Sequence, residues 1–358
     1  MSVYFNSNIP IITICVASLF GVVIYHFFKK NETDDDGKNS EELNFVKIGK
    51  IGKLFIYPVK SMKGISVPYI ECNKTGASYN YIRDRSFMVV DRKTSLYIGG
   101  GKERKLTLIQ PSMDYDSLTS SYILTLTCEK NKTFVTVNLD DVVMEEKLLT
   151  VKVIGNGIGD GICEGYDCGD EVGVFIKNVL SSDADLRLIY HSELLSKKLK
   201  SIYGPQYSNT NVTMGPHELR YHCDAPYHIL TEGSLNDLNK RYKGKDQMVV
   251  ERFRPVIVVS NTKPYDEDYW RHLKVGKCLF EVLGPCVRCI QTTIDPKTAE
   301  KHPNMEPVRE LRKYRLTKGR IEKQYGISPV FGIQASVKDG NTIKVGDDVL
   351  IHYKKIQH

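Results

Sequence analysis

Gly284-Pro285-Cys286-Val287-Arg288-Cys289-Ile290-Gln291-Thr292-Thr293-Ile294-Asp295-Pro296 is the stretch on which the reading of this chain turns. It follows the apolar run Leu279–Leu283 and breaks at Gly284-Pro285. Ile290, Thr292 and Ile294 alternate with other neighbours, which predicts a half-buried strand. Cys289 then stands at the mouth of that strand, with its backbone held from both sides. A rigid thiolate beside a guanidinium holds a soft metal or acts as a nucleophile. Arg288 is expected to lower the Cys289 thiol pKa by favouring its charged form. Cys286 follows Pro285 in the loop and is expected to be the less constrained cysteine.

The same pair has plainer readings. Half of a zinc site needs a second ligand pair. Only Cys163 and Cys168 offer one, and they fall in another predicted half. A thioredoxin-like redox pair opens a helix, not a strand. Two buried thiols is the reading that composition alone favours; the Gly-Pro break and Arg288 weigh against it.

Outward from this stretch the pattern is β-rich. From Val46 to about Tyr190, short runs of Val, Ile, Leu, Tyr and Thr (Ile51–Tyr57, Phe87–Val90, Leu106–Ile109, Tyr122–Thr127, Thr133–Val137, Leu149–Ile154) are divided by Gly, Asn, Asp and Lys, as in a small barrel or sandwich. Glu171–Leu180 has a helical apolar face, and Leu186–Ile189 returns as a strand. Ser192–Arg220 is polar and irregular and reads as a long loop between halves. Beyond it the sequence predicts a helix over Ser234–Tyr242 capped by Ser234, strands at Val256–Ser260 and Cys278–Leu283, and a helix over Met305–Tyr314. Strands at Val330–Val337 and Val349–Tyr353 close the sheet. The class is α+β, β-rich.

Ile9–Phe28 is the only membrane-length apolar run and carries no Asp, Glu, Lys or Arg. Roughly 20 such residues span a hydrocarbon core. Lys29 and Lys30 follow it and no basic residue precedes it, so the positive-inside rule leaves the N-terminus outside and the rest in the cytosol. A cleaved signal peptide would show a basic n-region and a small-residue cleavage site. Residues 1–30 are therefore expected to be an anchor and 31–45 a polar linker.

Net charge is +7 and 26% of residues are charged. No basic stripe interleaved with aromatics appears, so nucleic acid is not an expected partner. The 9 cysteines are odd in number and irregularly spaced, which fits reduced thiols better than a disulfide framework. Asn73-Lys74-Thr75, Asn131-Lys132-Thr133 and Asn211-Val212-Thr213 match glycosylation sequons, which matter only in the secretory lumen.

Other stretches point to an anion. Tyr57-Pro58-Val59-Lys60-Ser61-Met62-Lys63-Gly64 follows a strand and offers Lys60 and Ser61 as donors, without the glycine spacing of a Walker loop. A solvated turn is its bland reading. Arg83-Asp84-Arg85 and Phe253-Arg254-Pro255 each place arginine at a strand entrance, for binding or for a structural ion pair. Gly155–Gly161 is not followed by an amphipathic helix and reads as a hairpin loop. Lys297–Lys323 is rich in basic residues, a pattern that usually marks a solvated face.

Together these stretches resemble the MOSC-domain family, and within it the membrane-anchored, mitochondrial amidoxime-reducing components. The markers are Tyr57–Ser61, Arg83-Asp84-Arg85, Asp167-Cys168-Gly169, Phe253-Arg254-Pro255, Cys286–Cys289 with Thr292–Pro296, and Ser328-Pro329-Val330-Phe331-Gly332, in order between about Val46 and Tyr353. The resemblance implies an N-terminal β-barrel domain at 46–190, a connecting loop at 191–220 and a MOSC domain at 221–355. It implies a molybdenum cofactor, a pterin dithiolene with a terminal phosphate, with Cys289 as the thiolate on molybdenum. It places Lys60, Ser61, Arg85, Arg254, Val287, Arg288 and Gln334 around the pterin and its phosphate. Three positions depart from the family pattern and bear on pterin contacts and substrate preference: Val256 stands where Asn is frequent, Cys223 where Asp is frequent, and Gln334 where Asn or Tyr is frequent. The implied activity is reduction of small N-hydroxylated compounds at the mitochondrial outer membrane. Its electrons would come from NADH through NADH-cytochrome b5 reductase and cytochrome b5. The alternative is a sulfur-carrier or cofactor-delivery protein that uses Cys289 as a persulfide.

Overall fold

The structure is a computed structural model, described here for residues 43–154, 161–201, 217–244, 246–317, 322 and 326–354. Phe45–His358 is one compact unit. Its first strand, Val46–Ile56, does much of the organising. One edge pairs with Ile257–Ser260; the other pairs with Asp348–Tyr353 and then Ile65–Val67. The sheet runs Ile257–Ser260, Tyr227–Thr231, Val330–Asp339, Cys278–Val287, Trp270–Val275, Asp348–Tyr353, Val46–Ile56, Ile65–Val67. The pairing of Val46–Ile56 with Ile257–Ser260 closes all but the last strand into a ring.

Within this sheet the ladders are antiparallel except between Tyr227–Thr231 and Ile257–Ser260. Parallel neighbours need a crossover, supplied in part by the helix Glu232–Arg241. That helix starts earlier than the sequence predicts. Thr231, not Ser234, is its cap: the Thr231 hydroxyl accepts from the Ser234 amide at 3.2 Å. Ser234 is instead buried inside the first turn, where its hydroxyl donates to Glu267 at 2.7 Å.

A second, closed barrel comprises Leu148–Lys152, Ile162–Asp167, Leu186–Tyr190, Phe87–Asp91 and Leu96–Tyr97. The helix Asp170–Leu180 packs its buried Val172, Phe175, Ile176, Val179 and Leu180 inward, as the periodicity predicts. Gln110–Asp116, Ser121–Cys128 and Thr133–Asn138 form a separate meander. The expected β-rich α+β class holds.

Several expectations change. Ile290–Thr293 is a 3-10 helix, not a strand. The Thr292 hydroxyl donates to the Cys289 carbonyl at 2.9 Å and the Thr293 hydroxyl to the Ile290 carbonyl at 2.7 Å, so local bonds outcompete a ladder. The expected helix Met305–Tyr314 shrinks to Val308–Arg312, starting after Pro307, which has no amide hydrogen to donate. Part of the expected loop Ser192–Arg220 is a ladder between Leu199–Ser201 and His217–Leu219. Glycine-rich 155–160 lies outside the described residues. The strands flanking it pair antiparallel, and the Val153 amide donates to the Gly161 carbonyl at 2.8 Å. The predicted anchor Ile9–Phe28 also lies outside the described residues. Among the described residues, no helix is long and apolar enough to cross a membrane.

Candidate functional site

Where the Cys278–Val287 strand ends, the chain meets Lys60, Ser61, Arg85, the turn after Tyr221, and Phe253-Arg254 around a cavity of about 300 Å³. Lys60, Ser61, Arg85, Arg254, Val287, Arg288, Cys289 and Gln334 all line it. Residues from distant parts of the sequence thus share one space. Cys163 and Cys168 are buried elsewhere and do not line it. Among the described residues no group of three or more His, Cys, Asp or Glu could hold a metal ion.

Backbone geometry fixes the cations. Ser61, Arg85 and Arg254 have φ of 73°, 52° and 56°, the left-handed region that L-residues enter at a cost. Arg85 and Arg254 both stack on the Tyr57 ring, at 4.5 and 4.3 Å from its centroid. Arg85 Nη2 donates to the Arg254 carbonyl at 3.1 Å. Beneath them Asp84 is wholly buried. Its carboxylate accepts from the Tyr57 amide at 2.7 Å and from Arg85 Nη1, and lies 3.1 Å from His222 Nε2. Lys60 Nζ donates to the carbonyls of Tyr221 at 2.8 Å and His222 at 3.2 Å. The Ser61 hydroxyl accepts from the Gly100 amide at 2.9 Å and lies 2.9 Å from Tyr97 Oη. Sequence reasoning missed Tyr57 as the shared platform and Tyr97 as the Ser61 partner. An aromatic residue immediately before Pro58 was the available signal for the first.

The two cysteines separate cleanly. Cys286 is buried within the strand, and its sulfur accepts from Arg288 Nη1 at 2.8 Å and Gln334 Nε2 at 3.3 Å. Burial pushes its thiol up to about 11, and Arg288 offsets only part of that. Cys286 is therefore the more constrained cysteine, against expectation. Cys289 is exposed at the cavity. It opens onto the cavity and not onto bulk water, and the surrounding protein raises its thiol by more than the Gln291 amide and Arg288 lower it. Arg288 does pull the Cys289 thiol down, as expected, but too weakly to decide the direction; its guanidinium bonds Cys286 and, through Nη2, the Phe253 carbonyl at 2.7 Å.

Burial, then neighbouring Arg85, lowers Arg254 to about 10, which leaves it a cation at neutral pH. Lys60, Arg85, Arg252, Arg254 and Arg288 line the cavity against one carboxylate, Asp224. Arg254 Nη2 and Arg288 Nε are buried with no protein acceptor. Such a wall demands an anion.

Comparison with known proteins agrees with this geometry. Residues 48–183 match the MOSC N-terminal beta barrel domain, and residues 210–350 match the MOSC domain. The chain is 32% identical over 308 residues to mitochondrial amidoxime reducing component 2 of Rattus norvegicus, covering 84% of this chain and 83% of that protein. It is 31% identical over 309 residues to mitochondrial amidoxime-reducing component 1 of Homo sapiens, covering 85% and 83%. The chain belongs to the MOSC-domain family of amidoxime-reducing components. This is an oxidoreductase family associated with the molybdenum cofactor. The cavity fits that group: unpaired buried guanidinium donors suit a phosphate-bearing pterin, and an exposed thiol beside them suits a soft metal.

Proposed function

We propose that this MOSC-domain chain is a molybdenum-dependent reductase of N-hydroxylated compounds such as amidoximes and hydroxylamines. The observation that carries the reading is the exposed Cys289 thiol in the same cavity as Lys60, Arg85, Arg254 and Arg288. Cys289 would ligate the metal. Lys60, Ser61, Arg85, Arg254 and Arg288 would hold the anionic end of the cofactor, with Val287 and Gln334 lining the same space. When bound, the cofactor supplies a two-electron reduction that removes the N-hydroxyl oxygen as water. The chain contributes orientation and charge. Asp84 fixes Arg85, the Tyr57 ring carries Arg85 and Arg254, and Cys286 fixes Arg288. Electrons are proposed to come from NADH through cytochrome b5 reductase and cytochrome b5. The proposed location is the mitochondrial outer membrane, held by Ile9–Phe28 with the remainder in the cytosol.

The test is molybdenum content, pterin content and benzamidoxime turnover for the full chain made with an intact cofactor pathway, beside Cys289→Ser. The expected result is metal and turnover in the unmodified chain. The variant, whose hydroxyl is a harder and less acidic ligand, loses turnover and retains pterin. Metal-free protein carrying cyanolysable sulfur on Cys289 would establish the sulfur-carrier role instead.

A further inference from the structure

A second cavity of about 300 Å³, unused by the proposed reduction, shares Arg252, Arg254 and Gln291 with the first. Tyr57, Val249, Ile294 and Pro296 give it apolar sides. Lys63, Arg252, Arg254 and Lys297 bring positive charge against a single lining carboxylate, Glu251.

Unmet hydrogen-bonding capacity collects in its wall. Tyr57 Oη, Arg252 Nε and Nη1 and Gln291 Nε2 are all buried with no protein partner. Tyr57 is 1% exposed and the Arg252 side chain 10%. A buried polar group left without a bond is costly, so a wall with several is built for something that fills it. The arrangement is held. Arg252 Nη2 donates to Asp295 at 2.6 Å, which turns the other edge of the guanidinium free, and Arg254 Nη1 donates to the Met62 carbonyl.

These groups are of one kind. Guanidinium and amide nitrogens only donate. Burial raises the Tyr57 phenol, so it keeps its proton and donates as well. Every one of these groups can donate and only the phenol oxygen can also accept, so together they favour a ligand rich in acceptors, an oxyanion. The apolar sides select an oxyanion with an apolar body, and about 300 Å³ lies at the small end of ligand pockets. We infer that this cavity is a binding site for a small organic acid, an aromatic or branched carboxylate, seated beside the cofactor cavity and sharing Arg254 with it. The assignment does not depend on which reaction the first cavity performs.

The experiment is calorimetric titration of the full chain with its first cavity filled by cofactor, using benzoate and, in parallel, inorganic phosphate. Benzoate is expected to bind saturably, with phosphate about tenfold weaker. Arg252→Gln, which removes free donors, and Lys63→Ala, whose lysine lines only the second cavity, are each expected to weaken benzoate severalfold or more. Melting curves establish that each variant is folded, and Lys63→Ala carries the test if Arg252→Gln is not. Absence of saturable benzoate binding overturns the inference. So does binding untouched by the folded variants, or benzoate binding only when cofactor is removed. Phosphate binding as tightly as benzoate overturns the apolar-body assignment.

Discussion

Arg288 donates from Nη1 to Cys286 Sγ at 2.8 Å, although Cys289 is its neighbour in the chain and the thiol exposed to the cavity. The arginine therefore serves the buried cysteine, and that cysteine positions a cation of the cavity wall. The two thiols should fail differently. Cys286→Ala removes a hydrogen bond to a charged group inside the protein, expected to cost about 1.5–3 kcal/mol and to loosen cofactor retention through Arg288. Cys289→Ala removes an exposed side chain, expected to change stability by less than about 0.5 kcal/mol while abolishing turnover. Denaturant unfolding and pterin content on both proteins measure this. Equal destabilisation by the two changes would show that Arg288 does not depend on Cys286.

Asp84 holds Arg85, another cation of the cavity wall. Burial pushes its carboxyl up, but Arg85 and His222 outweigh burial and hold it below the usual carboxylate range. A lowered native pKa stabilises above the unfolded value and loses that contribution as pH falls through the acid range below about 4. Asp84→Asn is expected to cost roughly 3 kcal/mol, since it strands the Arg85 guanidinium over the Tyr57 ring. It should also flatten the acid limb of the stability profile. Unfolding curves at neutral and acid pH provide the check, and a change within about 0.5 kcal/mol would remove Asp84 from this role.

Local signals made much of this molecule legible. The apolar face of Asp170–Leu180 and most of the β-rich runs gave their elements because each is a property of neighbours in sequence; Leu106–Ile109, read as β, instead falls in the 3-10 helix Arg104–Leu108 and its cap. Arginines at strand entrances pointed to the cavity for the same reason. The closure of Val46–Ile56 onto Ile257–Ser260 was hidden, because no local pattern encodes a partner so far along the chain. Tyr57 beneath two arginines was hidden in the same way. Ile290–Thr293 misled for a different reason. Its alternation is real, but threonine hydroxyls bonded to nearby carbonyls turn it into a 3-10 helix.

The basic run also bears on the proposed electron donor. Lys297, Lys301, Arg309 and Lys313 are exposed, and Lys313 is paired with Glu310. If this face steers an acidic cytochrome b5, reduction rates should fall as salt rises past physiological strength, where the Debye length is about 8 Å. Stopped-flow reduction across a salt series measures it. A flat response would make the run a solvated face only.

Glu267 does not line the cavity. It is 0% exposed; the Ser234 hydroxyl donates to it at 2.7 Å and the Thr231 hydroxyl lies 2.9 Å away. Burial raises its carboxyl from 4.5 to about 7, against the lowering effect of Ser234. Between pH 4.5 and about 7 the folded protein holds a proton that the unfolded chain has released. Stability from this group is therefore complete below the unfolded value and drains away as pH rises through the folded one. The full swing is on the order of 3 kcal/mol. Glu267→Gln keeps the shape and cannot ionise, so its stability should vary less across that window and exceed the parent's at neutral pH. Urea unfolding of both proteins from pH 5 to 8 decides it. Parallel profiles would mean that Glu267 is ionised in the fold, with its charge met by the hydroxyls around it.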